Sequence, residues 1–431
     1  MESYKYYAGL TSQVGFCATP LRLDPFNKCQ YGCGYCYAST RQGYGRSQEL
    51  KISAPESLAK RLKRVKDGKV SSALDELISK KVPFQLGGMS DPFMRMESKL
   101  SVTLRYLKIL KEYNYPYIIS TKSDLVAEPK YLELISNSNC YVRFSITVID
   151  DKNRKLVDRG CPSVDKISAA AKALAERGIP VSFRFQPIIP GFEYCFDQLL
   201  DVAVNSGVKH ISAEYLKVPL DANVKFSREL KNVLGGNPIK FYKERGAQKF
   251  GREYNLPLSY RASYLIKMSR EARQNGLTFG FADNDLLVHS DGKACCGASD
   301  LYLKDSNFFE ANITWLVKKK TYGDKILFSD YLKCWVPQKA ISTYLNSKAR
   351  IDAKDLDGPE WLHYLKAMWK GELGIYSPNY FDGIENTGDF DEEGLPIYIR
   401  TASNFEKMYE EKVANNKLYC QATLSIPIVS A

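Results

Sequence analysis

Asn27-Lys28-Cys29-Gln30-Tyr31-Gly32-Cys33-Gly34-Tyr35-Cys36-Tyr37 sets three cysteines in a C-x3-C-x2-C run. Three thiolates this close can hold three irons of a cubane and leave the fourth iron without a protein ligand, whereas an ordinary iron–sulfur cluster takes four cysteines. The fourth iron is then a place for another molecule to coordinate. Gly32 and Gly34 give the backbone freedom to wrap a cluster, and Tyr35 stands where it would shield one from water. Zinc or three unrelated thiols is the competing reading. Zinc needs a fourth Cys or His nearby, and no histidine precedes His210. Cys29, Cys33 and Cys36 are therefore read as metal ligands.

Outward from this run, strands and helices alternate from about residue 15 to 290. The stretches 82–87, 115–120, 141–146, 180–185, 208–213 and 277–281 read as buried strands. Between them, Ser53-Ala54-Pro55-Glu56 has the form of a capping box, with Leu58, Leu62 and Val65 on one side of the helix it starts. Leu104, Leu107, Ile109 and Leu110 mark a second amphipathic helix. Ile167, Ala170, Ala171, Leu174 and Ala175 line a third that stops at Gly178. Alternation of this kind predicts a parallel sheet with helices outside.

The predicted strand ends carry polar residues. Gly87-Gly88-Met89-Ser90-Asp91 ends the first of these strands. Its glycines let a ligand approach the backbone, and Ser90 and Asp91 are polar candidates beside them; a tight turn explains the same residues. Lys122, in Ser120-Thr121-Lys122-Ser123, is poised to meet a carboxylate or phosphate, although Ser123 also suits a helix cap. Ser145 ends the next strand. Arg184 and Gln186 sit in an apolar strand, where buried polar groups require partners, either a ligand or each other.

Composition points to a soluble enzyme. The 431 residues predict one large domain with an appendage, and 44% hydrophobic content is enough for a full core. No apolar run approaches a membrane span, and Met1-Glu2-Ser3-Tyr4-Lys5 has no apolar signal segment. The expected location is the cytoplasm, with the eleven cysteines reduced and available for metal or redox work. Lys and Arg exceed Asp and Glu by 12, and there are 29 tyrosines. Cations meet phosphates and rings stack on bases, so DNA or another nucleic acid is the expected partner. Part of the charge, as in Lys60, Arg61, Lys63, Arg64 and Lys66, also fits the solvated face of a helix.

Residues 1–14 read as an extension, 15–290 as the strand–helix domain and 291–431 as a C-terminal α+β domain for substrate binding or an auxiliary metal. All four tryptophans, Trp315, Trp335, Trp361 and Trp369, lie in this last part. Asp291-Gly292-Lys293-Ala294-Cys295-Cys296 follows the last predicted strand. Cys295, Cys296, Cys334 and Cys17 are candidates for a second iron–sulfur cluster, against the plainer reading of small buried thiols. His210, His289 and His363 have no metal-like spacing and are expected to be structural.

The cysteine run resembles that of the radical S-adenosylmethionine (SAM) superfamily. Pro25-Phe26-Asn27, Ser90-Asp91-Pro92, Thr121-Lys122-Ser123, Phe144-Ser145-Ile146 and Pro187-Ile188-Ile189-Pro190-Gly191 resemble its spore photoproduct lyase-like branch, over about residues 15 to 215. The resemblance implies a partial (β/α)6 TIM barrel with a [4Fe-4S] cluster and SAM at the C-terminal ends of its strands. It implies reductive cleavage of SAM to a 5′-deoxyadenosyl radical that abstracts hydrogen, with an electron donor such as flavodoxin or ferredoxin. It assigns the SAM carboxylate to Lys122, the sugar or methionine part to Ser145 and Gln186, and places Gly87, Gly88, Ser90, Asp91 and Arg184 around the cofactor. The expected activity is of lyase or isomerase type on a pyrimidine base in DNA, as repair, modification or rearrangement. Two features depart from the branch. No Glu follows Gly87-Gly88, and Leu86-Gly87-Gly88-Met89 lacks the branch's hydrogen-donating cysteine before Ser90-Asp91. Cys140, Cys161, Cys295 and Cys296 are the substitutes considered as donors. The alternatives are a radical SAM maturase of a peptide with an auxiliary cluster, and a non-catalytic iron–sulfur protein that binds nucleic acid.

Overall fold

The short stretch Leu21–Leu23, hemmed by Pro20 and Pro25, has too few residues to announce itself as a strand, yet it begins the main sheet. In this computed structural model residues 3–4, 7–11, 13–38, 49–294, 296–341, 358–373 and 376–414 are described. The main sheet runs β1 (Ala8–Leu10), β2 (Leu21–Leu23), β3 (Phe84–Leu86), β4 (Tyr117–Thr121), β5 (Cys140–Ser145), β6 (Val181–Ile188), β7 (His210–Tyr215) and β8 (Thr278–Phe281). Neighbours follow chain order. β1 is antiparallel to β2, and every later pair is parallel. No pairing joins β1 to β8 among the described residues. The result is an open, partial barrel with one more parallel strand than the six expected. The added one is β2, from which the cysteine loop springs.

Helices cover the sheet as their periodicity predicts. In α1 (Pro55–Lys66), Leu58 and Leu62 are buried, while Ser53 does not cap the helix. Ala54 is its N-cap, and Ser53 Oγ donates to the Pro25 carbonyl at 3.0 Å. In α2 (Val102–Glu112), Leu107 and Leu110 face inward with Val102 and Tyr106. In α3 (Val164–Glu176), Ile167, Ala170, Ala171 and Leu174 are buried, Ser163 accepts from the Lys166 N–H, and Gly178 leaves at φ +74°. Arg61 and Arg64 are not merely solvated. Both bind the buried Asp75, at 2.8 and 2.6 Å.

The C-terminal part has its own antiparallel sheet, β9 (Lys325–Ile326), β10 (Ile384–Phe390) and β11 (Pro396–Arg400), with β11 in the middle. Helices α4 (Glu360–Trp369) and α5 (Asn404–Ala414) accompany it. Its apolar residues continue the core of the main sheet. Trp361 and Trp369 are wholly buried, Trp361 4.5 Å from Phe309 and Trp369 donating Nε1–H to the Pro396 carbonyl. They are core, not a stacking surface for bases. Trp315 is half-buried, and Trp335 is the exposed one, with Lys80 Nζ 5.4 Å from its ring centroid.

Residues 296–309 cross beneath the N-terminal ends of the strands. Asn139 donates to the Lys304 carbonyl, Tyr302 Oη donates to the Lys209 carbonyl at 2.9 Å, and Asn307 Nδ2 donates to the Lys80 carbonyl at 2.7 Å. The buried His210 ties this crossing down. Its Nε2 donates to the Cys296 carbonyl and its Nδ1 accepts from Thr278, both at 2.9 Å. Gly280 makes the approach feasible, since a Cβ there would lie 1.7 Å from the Cys296 oxygen.

Candidate functional site

At the other end of the sheet, β2 delivers the chain into the loop of Cys29, Cys33 and Cys36. Backbone bonds hold the loop. The Gly34 N–H donates to the Val157 carbonyl at 2.8 Å, the Gly160 N–H to the Tyr31 carbonyl at 3.0 Å, and the Ser227 N–H to the Gly34 carbonyl at 3.2 Å. The buried Tyr31 donates from Oη to the Phe93 carbonyl at 3.1 Å. All three thiols are partly exposed. Burial, then the charge of Asp91, pushes the Cys29 thiol up to about 12. A hydrogen bond with Cys161, then burial, holds Cys33 well above the ordinary thiol value. Unmetallated, these two thiols stay protonated at neutral pH.

Beside the loop, Lys122 and Asp158 form a buried ion pair. Lys122 Nζ reaches Asp158 Oδ2 at 3.2 Å, the Ser145 carbonyl at 3.3 Å and Thr147 Oγ1 at 3.4 Å. Tyr35 lies under Nζ, 5.5 Å from ring centroid to nitrogen, and its hydroxyl bonds to Asp158 and Thr147. Burial opposes the charged form of both Lys122 and Asp158. Their mutual attraction overcomes it, so Lys122 is raised and Asp158, helped by Arg154, is lowered.

Asp91 accepts from Thr121 Oγ1 at 2.7 Å, the Lys122 N–H at 2.6 Å and the Phe93 N–H at 2.9 Å. Ser90 Oγ donates to the Phe26 carbonyl at 2.7 Å. Both side chains therefore brace the loop ends internally. Gly87, at φ +90°, admits the neighbouring strand, because a Cβ would sit 2.3 Å from the Ser120 oxygen. Gly88 accepts from the Tyr37 hydroxyl through its carbonyl. Further along the strand ends, Arg184 donates to Gln186, Gln186 donates to Glu214, and Lys217 Nζ meets Glu214 at 2.5 Å. The polar residues of β6 thus partner one another and continue onto β7.

Sequence reasoning did not single out Asp158, and it named Cys161 only as a candidate hydrogen donor, not as a neighbour of Cys33. Cys33, Asp158 and Cys161 have ligand atoms within 4.8 Å of one another, the one such metal-capable group among the described residues. The signal was present in Asp158-Arg159-Gly160-Cys161, where a charged residue, a glycine and a cysteine follow a helix. Cys140 opens β5 and Cys296 sits against His210, so both lie at the N-terminal ends of the strands, away from the Cys29–Cys36 loop. Cys295 lies outside the described residues. Cys17 contacts Thr19 and Arg22, and Cys334 contacts the Asp330 carbonyl. No helix among the described residues is long and apolar enough to cross a membrane.

Residues 23–203 match the model of the Radical SAM superfamily. A tRNA uridine(34) acetyltransferase of Dehalococcoides mccartyi (strain CBDB1) is 24% identical over 183 residues, covering 38% of this chain and 40% of the relative, so the likeness spans well under half of that protein. Among solved structures, a variant of spore photoproduct lyase is similar at TM-score 0.49 and 16% identity, over 64% of this chain and 79% of that one. Streptococcus suis SuiB is similar at TM-score 0.41 and 14% identity, over 63% and 51%. With its three-cysteine loop at the open end of a parallel sheet and the family match over the same residues, this chain carries a radical SAM domain over residues 23–203.

Proposed function

We propose that this radical SAM enzyme acts on nucleic acid, with a pyrimidine base in DNA, or a group attached to one, as the site of hydrogen abstraction. The observation that carries the chemistry is the position of Cys29, Cys33 and Cys36 on one loop at the strand ends, beside a matched Lys122–Asp158 pair. The donor set fits the superfamily's [4Fe-4S] cluster: three thiols, partly exposed, with no histidine in the loop. Coordination by iron deprotonates such thiols outright, which offsets the burial that otherwise keeps them neutral. When bound, the cluster and SAM supply hydrogen-atom abstraction by a 5′-deoxyadenosyl radical.

The chain's own residues bind and orient. Cys29, Cys33 and Cys36 would hold the cluster. Tyr35, buried against Asp158 and Thr147, would shield the cluster from water. Ser145, Arg184 and Gln186 are the polar groups that would face SAM along the strand ends, and Lys122 would hold or exchange a carboxylate while Asp158 keeps it charged. The net charge of +12 supports a polyanionic substrate, and the tRNA uridine(34) acetyltransferase is, by its name, a protein that acts on a pyrimidine within RNA. A reductant such as flavodoxin or ferredoxin would supply the electron. Cys161, beside Cys33, is the thiol best placed to serve as a hydrogen donor in place of the cysteine missing before Ser90.

The test is anaerobic reconstitution with iron and sulfide, then dithionite and SAM, with iron and 5′-deoxyadenosine quantified. Wild type should hold about four irons per chain and form deoxyadenosine, faster with single-stranded DNA. Cys33→Ala should lose the cluster and fall to background. Deoxyadenosine formation indifferent to DNA and RNA would remove the nucleic-acid reading while leaving the cofactor chemistry intact.

A further inference from the structure

A cavity of about 220 Å³ opens at the C-terminal ends of β7 and β8, beyond the Arg184–Gln186–Glu214 series. Its walls come from four separated parts of the chain: residues 215–217 at the end of β7, 250–261 from the hairpin over 248–255 onward, 283–285 after β8, and 379–380. Two cations line it, and both are already neutralised. Arg261 binds Asp285 through two contacts, at 3.1 and 2.6 Å, and lies 3.5 Å from Asp283. Lys217 binds Glu214. Two cations against three carboxylates leave no surplus positive charge, so the cavity is unsuited to a phosphate even though the whole chain is basic.

Its remaining groups ask for a different ligand. Asn255, on the wall, has a buried Oδ1 with no partner among the described residues. The buried Asn284 makes only long bonds, its Oδ1 accepting from Gln13 Nε2 and its Nδ2 donating to Tyr376 Oη, both at 3.5 Å. A buried amide oxygen left unsatisfied, as Asn255 Oδ1 is, is costly, and a bound molecule or water in the cavity would complete it. Phe250 and Tyr380 meet edge to face at 5.8 Å and form an aromatic side. Asp283, raised to about 6 by burial and then by Asp285 and Glu214 against the pull of Arg261, is able to donate or accept near neutral pH.

We propose that this cavity receives the reacting base: an uncharged, planar heterocycle of the pyrimidine class, presenting amide-like donors and acceptors to Asn255 and Asn284, with its sugar–phosphate backbone left outside. The inference rests on the nucleic-acid reading above and assigns its substrate pocket. A base turned out of its strand is the general solution when chemistry must reach a base atom, and the cavity has the size and neutrality for the base alone.

Isothermal titration of the reconstituted full chain, with S-adenosylhomocysteine saturating so that the SAM site does not report, tests it. The probes are thymidine, deoxycytidine, ribose 5-phosphate and a single-stranded oligothymidylate. At least one nucleoside should bind and ribose 5-phosphate should not. Asn255→Leu should weaken the nucleoside by about tenfold, the value of one lost hydrogen bond with its partner stranded. If Asn255→Leu unfolds the hairpin, Tyr380→Leu probes the opposite wall and should weaken the nucleoside too. Nucleoside binding untouched by both substitutions overturns the assignment. Oligonucleotide binding without any nucleoside binding overturns the pocket and spares the nucleic-acid reading. Binding of neither overturns both.

Discussion

At the scale of single residues, the site turns on one buried ion pair. Asp158 is 1% exposed and has Lys122 as its cationic partner at 3.2 Å. Removing one partner of a buried pair leaves the other charge uncompensated, which costs far more than removing both. Lys122→Met should therefore destabilise the fold by about 3 kcal/mol or more, and Asp158→Asn in the same chain should recover a large part. Urea unfolding of the four species of the double-mutant cycle measures this. A loss in the double variant equal to the sum of the two single losses would mean that the pair is not coupled in the fold. The pairing was half visible in the sequence. Lys122 stands out at a strand end, but its partner lies 36 residues away, and the local run Asp158-Arg159-Gly160-Cys161 does not by itself tie Asp158 to Lys122.

At the scale of elements, the helices and strands were legible wherever they were long enough to show a period. α3 shows this best, with a stripe of Ile167, Ala170, Ala171 and Leu174 that is the stripe it buries. β2 shows the limit: three residues cannot display alternation, and only pairing with β1 and β3 makes Leu21–Leu23 a strand. The crossing beneath the sheet was invisible too, because it depends on irregular chain meeting strand ends. Gly280 is its most sensitive point. Gly280→Ala would drive a Cβ into the backbone carbonyl of Cys296, which cannot swing aside, and should cost about 3 kcal/mol. At Gly15 the obstacle is the flexible thioether of Met368, at 2.2 Å, so Gly15→Ala should cost clearly less. Chemical denaturation of the two variants side by side checks the ordering, and equal losses would contradict the tight seat at Gly280.

At the scale of the molecule, charge and architecture divide the work. The chain carries +12 overall, yet the cavity at the strand ends has its cations cancelled. Nucleic-acid affinity should then be carried by scattered Lys and Arg outside it. Oligonucleotide affinity should fall steeply with salt, its logarithm linear in the logarithm of salt concentration, and Asn255→Leu should leave that slope unchanged. A slope that changes with Asn255→Leu would mean the cavity itself handles phosphate.

The sequence by itself determined the chemistry that is available. The spacing of Cys29, Cys33 and Cys36 is local, eight residues of chain, and local spacing survives any arrangement of the rest. It determined the parallel α/β class for the same reason, since each strand and each helix announces its own buried face. Only the tertiary structure decided what stands around the thiols. It brought Asp158 and Cys161 to Cys33 from more than 120 residues away, sent Cys140 and Cys296 to the opposite end of the sheet, and put Trp361 and Trp369 into the core. These are contacts between parts of the chain with no common period, and they exist only once the strands have paired and the barrel has an inside.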